Sequence, residues 1–327
     1  MKRALICGVT GQDGAYLAQL LLGQGYEVYG TSRDAQTSNF EKLAYLGIKD
    51  KVRVLSMSLN DFRSVLQALV KVKPDEIYNL AGQTSVGLSF EQPVEALESI
   101  LTGTVNLLES IRFVNKKIRF YNAGSSECFG DTGEHGATEE SPFRPRSPYA
   151  VAKAAAHWEV ANYREAYDLY VCSGIVFNHE SPLRPERFVT RKIISAVCRI
   201  ASGSDEKLYL GNLAIRRDWG WAPEYVVPMW KMLQKDVPDD YVISTGIAES
   251  LENLVKEAFM CANLDWQKYV VIDDEFKRPT DIGISVGDSS KANHELGWKA
   301  KYYMKDVVRM MYEAEMNKFK NKPCFLK

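Results

Sequence analysis

The stretch "RALICGVTGQDGAYLAQLLLGQG" constrains the fold more than any other part of this chain. A short apolar run ends at Gly8, Gly11 and Gly14 recur at three-residue spacing, and leucines then recur with helical spacing up to Gly25. A buried strand that turns through glycines straight into a helix opens a nucleotide-binding α/β fold. The glycines let the backbone turn sharply and approach a pyrophosphate. The helix that follows offers free N–H groups and the positive end of its dipole. Gly8, Thr10, Gly11, Gln12, Asp13 and Gly14 are the candidates for that contact. The spacing alone also fits a tight turn that binds nothing; the strand before it and the helix after it favour the nucleotide.

The same rhythm continues. "EVYGTSR", "VRVLSMSL", "EIYNLAG", "IRFYNAGSS" and "YVCSGIVFN" read as strands, separated by helical stretches such as "SVLQALVKVK" and "EALESILTGTVNLLESIRF". This alternation predicts an α/β fold: a doubly wound parallel sheet of the Rossmann type. After Asn178 the rhythm breaks, so residues 178–327 are expected to form mainly a smaller, mixed α/β substrate-binding lobe. Residues 1–177 form the dinucleotide-binding domain, and a segment near 217–246 is expected to return to it.

The net charge is −1, which gives no argument for nucleic acid or an anionic membrane as partner. None of the six cysteines forms a C-x-x-C pair and the four histidines are scattered, so neither a disulfide framework nor a metal site is expected. The N-terminus runs straight into a strand, so no signal peptide is expected, and the chain is assigned to the cytoplasm.

Two further segments bear on chemistry. A carboxylate at the end of the second strand would accept the ribose hydroxyls of NAD; here "YGTSRD" places Ser32 and Arg33 first, which suits the 2′-phosphate of NADP. Arg33 also fits an ordinary solvated loop charge. In "SPYAVAK", Tyr149 and Lys153 are four apart, on one helix face. A phenol of pKa about 10 is a poor base. A neighbouring ammonium and a nicotinamide cation would lower it, so that the pair removes a proton from an alcohol as hydride leaves. A surface helix pair shares that spacing.

Taken together, "GVTGQDGAYLA", "PDEIYNLAGQTSVGLSFEQP", "RSPYAVAK", "NYREAY", "FNHESPLR", "FVTRKI", "LGN", "RDWG" and "KANHELGW" resemble the extended short-chain dehydrogenase/reductase superfamily. Within it, the chain most resembles the GDP-mannose 4,6-dehydratase family. The resemblance implies that Ser125 binds the oxygen being oxidised, with Tyr149 as base and Lys153 beside it. Two residues after Ser125, nucleotide-sugar dehydratases carry glutamate, and this chain has Glu127. By the same resemblance Tyr149 takes the 4-hydroxyl proton while hydride leaves C4 for NADP. Glu127 removes the C5 proton and protonates the departing 6-hydroxyl, and hydride returns to C6. A carboxyl whose pKa is raised by burial suits that double role; a helix-start or ion-pair role for Glu127 is the alternative.

The resemblance also implies that Asp61, Leu80, Ala81, His179 and Arg184 lie at the cofactor. Ser85, Ser126, Asn178, Thr190, Lys192, Gly211, Arg217, Arg278 and Asp281 would hold a nucleotide-diphosphate sugar. The family carries threonine for Ser125, aspartate for Ser58 and glutamate for Asp281, and an insertion before "FKRP" that is absent here. Its members associate through the loop after the second strand, so a homodimer or homotetramer is expected. The resulting expectation is an NADP-dependent GDP-mannose 4,6-dehydratase. The alternatives are a 4-keto reductase or 4-epimerase acting on nucleotide sugars, and a catalytically silent NADP-binding protein.

Overall fold

The computed structural model describes residues 1–276 and 280–320, with the side chains of 319 and 320 left aside. The strands, in chain order, are β1 (Arg3–Cys7), β2 (Glu27–Ser32), β3 (Arg53–Ser56), β4 (Glu76–Asn79), β5 (Arg119–Ala123), β6 (Val171–Val176) and β7 (Asn178–Glu180). After them come β8 (Leu208–Leu210), β9 (Arg216–Trp221), β10 (Tyr241–Ile243), β11 (Ala248–Ser250), β12 (Val270–Ile272) and β13 (Ile284–Ser285). The helices are α1 (Gln12–Gly23), α2 (Glu41–Tyr45), α3 (Phe62–Val72), α4 (Val86–Glu91), α5 (Pro93–Leu97) and α6 (Gly103–Val114). They continue with α7 (Pro148–Tyr167), α8 (Val189–Ala201), α9 (Ala222–Met232), α10 (Leu251–Cys261), α11 (Ser290–Leu296) and α12 (Met304–Lys320).

Seven parallel strands form the main sheet in the order β10-β6-β5-β4-β1-β2-β3. Strand β1 shows why the apolar run forms a central strand. Ala4 and Ile6 pack into the layer built by α1, α9 and α11, while Leu5 and Cys7 pack into the opposite layer of α3, α6 and α7. All four are fully buried. At roughly 1.5–3 kcal/mol for each large aliphatic side chain taken from water, both faces of β1 are anchored and its register is fixed. The order reverses between β1 and β4, and ligands of open α/β sheets bind beside the carboxyl ends of such a pair.

The smaller lobe is built around a second apolar cluster. Ile193, Ile194 and Val197 of α8 meet Leu254, Val255 and Phe259 of α10, Val307, Val308 and Met311 of α12, and Leu208 and Leu210 of β8. Strand β9 is its hub, pairing with β7, β11 and β13. The chain then returns to the large sheet: α9 packs on α1, and β10 pairs with β6. The Asp218 carboxylate on β9 accepts from Thr245 N and Oγ1 at 2.9 and 2.7 Å and from Gly246 N at 2.9 Å, tying the two lobes.

The long helix read from "EALESILTGTVNLLESIRF" is interrupted. Residues Glu98–Thr102 widen into a π-helical turn between α5 and α6. There the Ser99 hydroxyl donates to the Glu95 carbonyl at 2.6 Å and accepts from Gln83 N at 3.1 Å. Such turns recur at functional sites, and Ser99 lines the crevice described next. Among the described residues, no helix is long and apolar enough to cross a membrane.

Candidate active site

Two crevices open at the carboxyl ends of the central strands. The larger, about 640 Å³, runs along the glycine turn. Gly8 sits at φ 85°, a left-handed conformation in which a side chain is strained, and a Cβ there would press on the Ala81 backbone. A Cβ on Gly14 would overlap the Gly8 carbonyl oxygen. The glycines therefore let α1 start directly against β1. Gly11, at the N-cap of α1, supplies no side-chain cap, so the first N–H groups of α1 are left for a ligand. Gly8, Thr10, Gly11, Gln12, Asp13, Gly14, Ser32, Arg33, Leu80, Ala81 and Arg184 all line this crevice, and its volume and donor set fit a dinucleotide.

Asp61 does not line it. Its carboxylate accepts from Arg63 N at 3.0 Å and caps α3, while Ser58, Leu59 and Asn60 face the crevice instead. Aspartate ahead of a helix is a preferred cap, and that local bond directs the side chain away from the cavity.

His179 reaches the glycine turn through Asp13. Its Nδ1 faces the Phe177 carbonyl at 2.6 Å and its Nε2 faces Asp13 Oδ2 at 2.9 Å, while the ring stacks on Tyr225. Since a carbonyl only accepts, Nδ1 donates, and a carboxylate opposite Nε2 favours the doubly protonated ring. Burial opposes charge on His179, but the Asp13 carboxylate outweighs it and raises the pKa. Burial likewise opposes charge on Asp13, but His179, and then Arg184, hold its pKa below the ordinary value.

The second crevice, about 420 Å³, lies between the lobes and shares Asp13, Thr84, Ser85 and Arg184 with the first. Ser125, Ser126, Glu127, Tyr149 and Lys153 line it together. Three local features put them there. Strand β5 ends at Ala123, and Ser125 caps the short 3-10 turn Ser126–Phe129 by accepting from Glu127 N at 3.3 Å. Gly130, at φ 69°, closes that turn. Ser147 caps α7 by accepting from Ala150 N at 3.1 Å, and Pro148 starts the helix, so Tyr149 and Lys153 occupy its first turns.

Lys153 is buried, and its Nζ donates to the Ala123 carbonyl at 2.7 Å and lies 5.9 Å from the Tyr149 ring centre. Burial lowers its pKa to about 8. Burial also raises the Tyr149 phenol well above its ordinary value, with a hydrogen bond to Ser125 pulling the other way. The Glu127 charge acts on Tyr149 as well, adding to that rise.

The remaining sugar-nucleotide candidates form the far wall. Ser85, Asn178, Thr190, Lys192, Gly211, Arg217 and Asp281 line the same crevice. The Thr190 hydroxyl donates to the buried Glu180 carboxylate at 2.6 Å. Lys192 Nζ donates to the Tyr209 carbonyl at 2.7 Å and rests 4.0 Å from the Phe276 ring centre. Arg217 is buried, donates to the Ile282 carbonyl at 2.8 Å, and has Asp281 at 3.4 Å. Arg278 lies outside the described residues. Lys42, Thr84, Glu180, Arg187, Tyr209 and Phe276 line the crevices without having been singled out in the sequence. The proline-bracketed, cation-rich "SPLRPERF" is the one local sign of any of them.

Known proteins agree with this architecture. The "GDP-mannose 4,6 dehydratase" family profile matches residues 5–311. GDP-mannose 4,6 dehydratase 1 of Arabidopsis thaliana is 45% identical over 325 residues, covering 96% of this chain and 90% of that protein. The dTDP-glucose 4,6-dehydratase of Bacillus anthracis, solved with NAD, superposes with a TM-score of 0.84 over 98% of each chain at 18% identity. RMD of Pseudomonas aeruginosa, solved with NADPH, superposes with a TM-score of 0.78 over 97% of this chain and 98% of that one at 21% identity. The two structures bear on the fold, and the sequence matches bear on descent: this chain belongs to the GDP-mannose 4,6-dehydratase family.

Proposed function

We propose that the chain converts GDP-mannose to GDP-4-keto-6-deoxymannose with loss of water, using NADP. The observation that carries the reading is Glu127 sharing one crevice with Ser125, Tyr149 and Lys153. A reductase or epimerase needs the last three and has no use for the carboxylate.

Each side chain has a task. Ser125 holds the 4-hydroxyl oxygen, and Tyr149 takes its proton. Lys153, still mostly protonated near neutral pH, keeps its ammonium beside the phenol ring and counters the burial that disfavours phenolate. A nicotinamide dinucleotide, when bound, supplies a ring cation and a hydride acceptor at C4 that becomes the donor at C6. Glu127 removes the C5 proton, made acidic by the new 4-ketone, and hands a proton to the 6-hydroxyl as it leaves as water. As C6 gains hydride, C5 regains a proton, which balances the one Tyr149 took from the 4-hydroxyl; C4 is oxidised and C6 reduced, so no outside reductant is consumed.

NADP over NAD is supported by the end of β2. Ser32 and Arg33 line the dinucleotide crevice, with Arg33 largely exposed. Glu95 lies 3.9 Å from the Arg33 guanidinium and lines the same crevice, while Asp34, the carboxylate that follows β2, is turned into its own loop: it accepts from Gln36 N at 2.8 Å and from the Thr37 hydroxyl at 2.9 Å. Those bonds, Gln36 first, hold its pKa below the ordinary value and leave it poorly placed for ribose hydroxyls.

The test is to incubate purified protein with GDP-mannose and catalytic NADP, without reductant, and to follow the nucleotide sugar by mass. Loss of one water supports the reading. Turnover only with stoichiometric NADPH points to a keto reductase, and isomerisation without mass change to an epimerase.

A further inference from the structure

Three cations, Lys42, Arg184 and Arg187, line the dinucleotide crevice. Arg184 is paired with the buried Glu180, its Nε 3.3 Å from the carboxylate. Lys42 and Arg187 bond only to neutral oxygens. Lys42 Nζ donates to the Thr10 carbonyl at 2.8 Å, inside the glycine turn. Arg187 donates to the Thr84 hydroxyl at 3.1 Å, reaching across the crevice mouth from the substrate lobe to the loop after β4. Among the described residues, no carboxylate lies within ion-pair distance of either cation.

Their placement names the missing anion. Both line the dinucleotide crevice, and Lys42 lines that crevice alone, away from the sugar site. Lys42 is held against the turn where a pyrophosphate meets the start of α1. Arg187 is carried by the segment 181–188, which spans the mouth, and its guanidinium lies over the Phe188 ring at 5.2 Å. Resting the arginine on an aromatic face and a hydroxyl keeps its planar fork extended at little cost in ordering. The two charges also feel each other: burial, and then Arg187, lower the Lys42 pKa. An anion between them would relieve that repulsion.

We propose that Lys42 and Arg187 close from opposite sides on the diphosphate of the bound dinucleotide, fastening segment 181–188 of the substrate lobe over the cofactor. This rests on the reading that a nicotinamide dinucleotide occupies the crevice. Arg187 thereby couples cofactor binding to the position of Thr190 and Lys192, which follow it directly in the chain.

The test is titration of dinucleotide-free protein with three ligands: NADPH, adenosine 2′-monophosphate, which has neither phosphate of the diphosphate, and GDP-mannose. Arg187→Ala and Lys42→Ala are each expected to weaken NADPH roughly tenfold, the lower range for a lost charge-assisted bond. The monophosphate should bind both variants as it does the wild type, GDP-mannose should bind Lys42→Ala as it does the wild type, and Arg187→Lys should recover part of the NADPH affinity. NADPH affinity within about twofold of wild type in both alanine variants overturns the proposal. Weakening of GDP-mannose alone overturns it too, and assigns the cations to the sugar nucleotide. Equal weakening of all three ligands means general disruption and also overturns it. A wild-type protein that binds neither NADPH nor the monophosphate removes the cofactor reading itself, and the proposal with it.

Discussion

Replacing Lys153 with methionine should make the protein inactive and more stable. The side chain is 7% exposed, and burial brings its pKa from 10.5 to about 8. At roughly 1.4 kcal/mol for each tenfold change in proton affinity, keeping this ammonium folded near neutral pH costs about 3 kcal/mol. Methionine has a similar length and no charge, so it removes that cost. It also removes the 2.7 Å bond to the Ala123 carbonyl, a loss of roughly 1–2 kcal/mol. The net expectation is a gain of about 1–2 kcal/mol near neutral pH. The pH dependence separates this from ordinary repacking. A folded pKa below the unfolded one means the unfolded chain holds more protons between about pH 8 and about pH 10.5, so wild-type stability rises across that window. Below it the penalty is present in full. The variant lacks this rise, and its advantage should vanish near pH 10. Urea unfolding of dinucleotide-free protein at both pH values measures the difference. A variant less stable than wild type near neutral pH, or an advantage that is the same at both, would refute the reasoning.

Other expectations follow from single contacts. Gly14→Ala places a methyl against the Gly8 carbonyl and within 2.8 Å of Val9 Cα, so it should cost roughly 1–3 kcal/mol by thermal melting and weaken NADPH; Gly87→Ala, with nothing within 4 Å, is the neutral control. Asp218→Ala removes the carboxylate that joins β9 to the loop after β10, and should lower the urea midpoint more than Asp218→Asn does. Tyr149→Phe should lower kcat by roughly 10²–10⁴-fold while GDP-mannose affinity, read by calorimetry, changes little.

The parts of the fold legible in the sequence are those set by local pattern. The strand–turn–helix at Gly8 to Gly14 and the start of α7 at Pro148 carry their own geometry, through φ values, caps and periodicity. Gathering Ser125, Glu127, Tyr149 and Lys153 in one crevice follows, because β5 ends and α7 begins at the same edge of the sheet. Illegible features depend on distant partners. Nothing near Thr190 announces Glu180 as its acceptor, and nothing near Lys42 points to Thr10. At Asp61 a cap and a ligand contact call for the same residue type, and only the structure shows the carboxylate turned to Arg63 N. The π-helical turn at Glu98–Thr102 is illegible for a related reason: it is set by which carbonyl each backbone N–H reaches, not by a residue type in the sequence.

The account stands on Glu127 moving a proton from C5 and another to the 6-hydroxyl, and Glu127→Gln tests this directly. With GDP-mannose and bound NADP, the variant should still remove hydride from C4, seen as reduced-nicotinamide absorbance, while the sugar keeps its water by mass. Loss of water at the wild-type rate in that variant would contradict the account.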